Sequence, residues 1–361
     1  GGIGLLSSRL TVQGPIVKDK GSFIVSGRRT YLDLLLKAFI PEESNFYGTT
    51  YFFHDFNAKL NYKITDKDRI FLSGYFGRDE FSFNNNRDAF NVSMPWGNAT
   101  GTLRWNRIIN EKLFMNVSAI FTDYNFQFKS GINDFQFSLF SGIRDYGSKI
   151  DFTWYPNPRH EVKFGGEYTY HIFTPTSVSA QDADVVFNTG DISNIYGHEG
   201  AFYIQDEFDV TDALRINVGL RWSWYNHVGP FTRLIAIPGQ LSDSTVIYSP
   251  NESIKFYHGL EPRANLRYLF GDKSSFKAGF NQVNQYVHLA TLSPVSLPTD
   301  IWFPSTDIAQ PQRGWQASAG YFRNFFDNSY ETSVEVYYKG MRNLIEYKEG
   351  ALPADNVTTN L

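Results

Sequence analysis

The 361 residues carry a net charge of −4, no cysteine, 17% aromatic side chains and a mildly polar mean hydropathy of −0.33. Without cysteine there can be no disulfide framework, zinc-thiolate site or thiol nucleophile, and the scattered Lys and Arg form no basic block that would track a nucleic acid. No run approaches the ~18 consecutive apolar residues of a conventional transmembrane helix, and the N-terminus lacks the order of a signal peptide, so a mature or excised piece is expected.

In chain order, alternation and turn signals predict about fourteen strands. The opening Gly1, Gly2 and Gly4 read as strand or turn glycines rather than a phosphate loop, since neither the helix nor the Lys follows. Residues 31–39 (YLDLLLKAF) place Leu32, Leu35, Leu36 and Phe39 near helical spacing and predict one short loop helix. Residues 51–64 set Phe52, Phe56, Ala58, Leu60, Tyr62 and Ile64 against Asp55, Asn57, Lys59, Asn61 and Lys63, with His54 on the apolar side. Residues 147–155 alternate Ile150, Phe152 and Trp154 with Lys149, Asp151 and Thr153, and residues 161–172 alternate Val162, Phe164, Tyr168 and Tyr170 with Glu161, Lys163, Glu167 and Thr169. The clearest case is 214–225 (LRINVGLRWSWY), with Leu214, Ile216, Val218, Leu220, Trp222 and Trp224 on one face and Arg215, Asn217, Arg221 and Ser223 on the other.

Connections alternate in length. Short ones at 17–21, 65–68, 110–112, 156–159, 211–213, 271–273 and 327–329 are rich in Asp, Asn, Gly, Pro and Lys. Long ones are expected at 31–49, 82–95, 129–146, 174–196, 226–257 and 288–312. Sorting of loop lengths onto opposite ends, with strands long enough to cross hydrocarbon, predicts an all-β, transmembrane, antiparallel up-and-down β-barrel. Trp154, Trp222 and Trp224 are expected at the membrane interfaces, as are Trp96 and Trp105, which bracket a strand. The lumen is assigned Lys59, Lys163, Glu167, Arg215, Arg221 and Glu335 from the polar faces.

The seven histidines stand singly, without metal-ligand spacing, and there is no GxSxG elbow, so neither a metal site nor an enzyme is expected, and no cofactor. The acid-rich 181–191 (QDADVVFNTGD) lacks the spacing of a calcium loop and reads as a solvated loop. Residues 284–313 combine prolines that stiffen a long loop with Tyr286, His288, Asp300, Trp302 and Arg313, the candidate ligand contacts.

Three stretches resemble the TonB-dependent outer-membrane receptor family: SSRLTVQGPIVKDKGSFIVSGRRTY at 7–31, YIQDEFDVTDALRINVGLRWSWY at 203–225, and NQYVHLATLSPVSLPTDIWFPSTDIAQPQ at 284–312 followed by SVEVYYKGMRNLIEYKEGA at 333–351. The resemblance implies a bacterial outer-membrane barrel of about 22 strands, an N-terminal plug inside it, and a TonB box through which the proton motive force drives uptake. Only about fourteen strands are expected here, with neither plug nor TonB-contacting segment. Residues 1–361 are therefore expected to be an internal barrel portion, with roughly seven strands to follow.

The implied partners are outer-membrane lipid, the TonB complex through the missing N-terminal region, a possible surface lipoprotein, and a scarce nutrient such as chelated iron, cobalamin, an oligosaccharide or a peptide. Two other readings stay open at this level. A passive pore would use the same polar lumen, and a soluble β-rich binding protein would pack its apolar faces against each other.

Overall fold

The structure, a computed structural model, describes residues 1–44, 46–85, 90–132, 135–182, 185–188, 194–235, 244–290 and 301–346. In chain order its elements are β1 (Gly2–Ile3), β2 (Ser7–Val17), β3 (Gly21–Thr30), α1 (Leu32–Phe39), β4 (Thr50–Lys63), β5 (Asp68–Asn85), β6 (Phe90–Asn110) and β7 (Leu113–Ile132). There follow β8 (Phe135–Trp154), β9 (His160–Asp182), β10 (Val185–Asn188), β11 (Ile195–Asp209), β12 (Leu214–Val228), β13 (Phe231–Ile235) and β14 (Ser244–Tyr248). The last are β15 (Ser253–Leu269), β16 (Ser274–Gln285), β17 (Val287–Ala290), β18 (Ile301–Pro304), β19 (Gln312–Phe325) and β20 (Tyr330–Arg342).

The main sheet is an antiparallel meander of fifteen strands, running from β1 to β20 with each strand beside its nearest long neighbours in sequence. Setting aside the two-residue β1 leaves the fourteen long strands expected from alternation. Up-and-down order needs only hairpin connections, which is why tight turns alternate with large excursions. Three excursions carry their own structure: β10 folds back on β9, while β13 with β14 and β17 with β18 form separate hairpins.

The two faces of this sheet differ as the alternation requires. Across β11, β12 and β15, Phe202 stands opposite Trp222 and Trp222 opposite Leu260, and the next outward row pairs Ile204 with Leu220. These side chains are open to the surroundings, Phe202 at 62% and Leu260 at 55%. A continuous apolar belt of this kind is untenable in water and is what hydrocarbon covers in an outer-membrane barrel. Since β9 needs about 9–11 residues to cross, His160 to Tyr170 suffices, and His171 and everything above it stands outside the bilayer.

Aromatic rings mark both edges of the belt. At the long-loop edge Phe202 stacks on Trp222 with centroids 6.2 Å apart and Trp224 on Phe256 at 6.1 Å, while the Tyr168 hydroxyl bonds His198 Nδ1 at 2.6 Å. At the short-turn edge lies Trp154, beside Tyr155, which meets Phe114 edge-on, and the Trp105 indole N–H donates to Asp68 Oδ1 at 3.0 Å. Interfacial rings suit such positions, with an apolar body in lipid and a polar tip in water.

Helix α1 falls within the predicted span. Its Asp33 sits in the first turn, where it accepts from Arg29 at 2.8 Å, and its last carbonyls end at Ile40, whose N–H reaches Leu36 O. Ile40 is extended because Pro41 follows, which disfavours helical geometry at the preceding residue.

Two expectations are corrected. The connections 82–95 and 129–146 are largely strand: Ser82 pairs with Ser93 and Lys129 with Ser138. Alternation in fact runs on through these segments, with Phe90, Val92 and Met94 against Asn91 and Ser93, and Phe135, Phe137 and Leu139 against Gln136 and Ser138, and backbone pairing runs on with it. Trp96 and Trp105 do not bracket a strand; both lie within β6, and Trp96 faces inward, stacked on Tyr51 at 6.4 Å.

Candidate functional site

At the long-loop end, the inward faces of β5 to β9, β11 and β16 surround a chamber of about 1150 Å³ roofed by the β17–β18 hairpin. The hairpin leaves the sheet between β16 and β19 and reaches the opposite wall, where β18 meets β8 and β9. His288 is fully buried, with its Nε2 2.8 Å from Ser305 Oγ, beside the Phe303 ring. Burial holds the His288 imidazole down to about 4, so it is neutral. The hairpin's far anchor is the Tyr257 hydroxyl, which donates to Thr306 O at 2.8 Å.

The chamber's polar wall centres on His171. Its Nδ1 lies 2.8 Å from Asp145 Oδ1, and its Nε2 is 3.5 Å from Glu199 Oε2, an ion-pair distance rather than a formed hydrogen bond. Burial pulls the imidazole down, and the two carboxylates overcome it to hold it up at about 9, so His171 is an imidazolium at neutral pH. Register explains the meeting: Asp145 pairs with His171, which pairs with Gly197, which pairs with His227.

Below it runs a buried network that fixes the lumen side of β12. Glu261 accepts from the Ser223 hydroxyl at 2.5 Å and from Asn284 Nδ2 at 3.2 Å, and Ser223 also bonds the Tyr286 hydroxyl at 2.9 Å. Arg221 joins it from beneath, 3.4 Å from Glu261 and 2.5 Å from Glu167. The Tyr286 ring stacks on Tyr225 at 5.7 Å. A satisfied polar network of this kind rigidifies the wall it belongs to.

The predicted ligand contacts divide. Tyr286 and Trp302 line the chamber. His288 does not reach it, being sealed inside the hairpin. Arg313 lies in β19 rather than in a loop, paired with Asn284 and Arg342 and sharing strand parity with Trp315. Asp300 lies outside the described residues, as do the side chains of 181–191. Of the residues assigned to the lumen, Lys163, Glu167 and Arg221 gather around one recess with Tyr203, and Arg215 and Glu335 around another with Lys277; Lys59 stands apart beside Ser73 and Tyr75. Sequence reading missed Asp79, Trp96, Tyr124, Asp145 and Glu199, although inward parity at the long-loop end would have found them.

A polar-lined antiparallel meander with an apolar outer belt and a loop-roofed chamber defines an outer-membrane β-barrel. The sequence profile described as TonB dependent receptor-like, beta-barrel matches residues 25–361, and the chain belongs to that family. No curated protein matches it. Among solved structures it is similar to the copper transporter OprC, with TM-score 0.66 and 11% identity over 96% of this chain and 55% of that one. It is also similar to the ferric-catecholate import receptor Fiu of E. coli K12 in its closed form, with TM-score 0.61 and 11% identity over 96% and 59%. The ferric yersiniabactin uptake receptor FyuA of Yersinia pestis gives 0.60 and 10% over 93% and 52%. The chain thus spans little more than half the length of these structures, and at such identity the likeness is one of fold. Family and neighbours place it in the bacterial outer membrane, and the family itself is one of transport receptors.

Proposed function

We propose that this chain is the barrel part of an active importer that captures a scarce nutrient in the outer chamber and releases it inward on TonB-coupled movement of a plug. The observation that carries the reading is the roofed chamber of about 1150 Å³ at the long-loop end, large enough for a medium-sized ligand and walled by both rings and charges. Membership of the receptor family, and neighbours named for copper, ferric-catecholate and yersiniabactin transport, favour import over free diffusion. TonB, surrounding lipid and a surface lipoprotein are the partners in this reading.

Accumulation of ligand by cells carrying the full receptor is expected to stop when TonB is deleted or the proton gradient is collapsed. Uptake that persists under both treatments, with ion conductance of the purified receptor in planar bilayers, would make the protein a pore.

A further inference from the structure

The chamber's charge is one-sided. Three carboxylates, Asp79, Asp145 and Glu199, line it, against one imidazolium, His171, leaving a net of two negative charges. Among the described residues no Lys or Arg lines it, and Arg313, in register with the lining Asn284, acts on it from a distance through Tyr286. Arg78, next to Asp79 in sequence, pairs with Glu80 at 3.1 Å on the other face of β5, and Arg144, next to Asp145, pairs with Asp123 at 2.9 Å. The nearest cation below, Arg221, is already held between Glu167 and Glu261.

The remaining wall is aromatic. Tyr75, Trp96 and Tyr124 stand on the neighbouring strands β5, β6 and β7, and Tyr286 and Trp302 approach from the β16–β18 segment. Ring faces present negative potential, so in a low-dielectric recess they attract cations and reinforce carboxylates. His171 is only 6% exposed and lines the chamber, and its Nε2 faces Glu199 Oε2 at an ion-pair distance of 3.5 Å with no formed hydrogen bond. Because His171 is charged, that nitrogen carries a proton and can donate only to a neutral or anionic acceptor.

From these features we infer that the chamber takes a peptide-like ligand whose ammonium or guanidinium group lies between the carboxylates and the rings, with a carbonyl accepting from His171 Nε2. A guanidinium fits best, since it bonds carboxylates as a fork and stacks flat on aromatic faces. A metal ion alone is a poorer fit, because among the described residues no cluster of three His, Asp or Glu side chains is arranged to hold one. This inference rests on the import reading, whose ligand it names by class.

The test is calorimetric titration of the full-length receptor in detergent with N-acetyl-arginine amide, its neutral isostere N-acetyl-citrulline amide and the anionic N-acetyl-glutamate amide. The arginine probe is expected to bind about tenfold or more tightly than citrulline, with the glutamate probe weakest. Glu199→Gln and, independently of the His171 contacts, Asp79→Asn are each expected to erase most of that preference while the barrel keeps its heat-modifiable mobility on gels. Equal binding of the three probes, tighter binding of glutamate, or binding of none overturns the assignment. An anionic ligand whose uptake depends on TonB overturns the cation class and leaves import standing. Arginine-selective binding in a receptor whose uptake ignores TonB overturns import and leaves the chamber's chemistry standing.

Discussion

Gly197 and Tyr225 occupy one space: a Cβ built on Gly197 would overlap the phenol oxygen of Tyr225. Tyr225 is fully buried and stacks on Tyr286, so its ring has nowhere to retreat. Gly197→Ala is therefore expected to push the tyrosine off its stack and cost about 1–3 kcal/mol, read by urea unfolding of the receptor refolded into vesicles. An unchanged midpoint would show that the ring is free to move.

Glu261 holds Ser223, Asn284 and Arg221 together. Replacing it with Ala leaves three polar groups facing a hole, and the expected loss is about 2–4 kcal/mol. Ser223→Ala, which removes one donor and leaves Asn284 and Arg221 in place, should cost about 1 kcal/mol. Near-equal losses in the two variants would count against a network centred on Glu261.

Stability should peak near pH 6.5, because the buried histidines pull in opposite directions. His171 is raised from 6.5 to about 9 against Asp145 and Glu199, so its contribution is complete below 6.5 and fades as pH rises through 9. His227 and His288 are lowered to about 4 by burial, so theirs is complete above 6.5 and fades as pH falls through 4. Unfolding free energies measured from pH 4 to 10 should fall on both sides. In His171→Gln the alkaline limb should flatten, and persistence of that limb would assign it to another group.

Val218 and Asn217 are neighbours on β12 with opposite surroundings. Val218 faces outward into the belt, whereas Asn217 faces inward and donates to Glu207 at 3.3 Å. Val218→Arg is expected to cost about 2–4 kcal/mol in vesicles, and Asn217→Arg well under 1 kcal/mol. Equal costs would remove lipid from the outer face.

How much was legible beforehand follows from what each feature depends on. The strand Leu214 to Val228 announces itself, because lipid and lumen impose opposite demands on adjacent residues. Trp222 and Trp224 are readable for the same reason. The chamber is not, since Asp79, Asp145 and Glu199 are far apart in sequence and come to one cavity only through the register of six strands, β5 to β9 and β11. His288 is buried against Ser305 inside the hairpin, a pairing that sequence spacing does not show. The extension of β7 and β8 was legible in the period of Tyr124, Phe126 and Phe128 and of Phe135, Phe137 and Leu139, but the Gly and Asn residues between these runs read as loop signals.

That extension changes where the receptor meets its surroundings. β9 continues for a dozen residues beyond Tyr170, and a tilted strand of that length rises about 30 Å. The paired strands β5 to β9 hold this height as a stiff wall along one side of the entrance, which there stands clear of the lipid headgroups. A molecule diffusing through the sugar layer of the cell surface would reach the rim before it reached the bilayer, and the membrane's own surface charge would have little say in what enters.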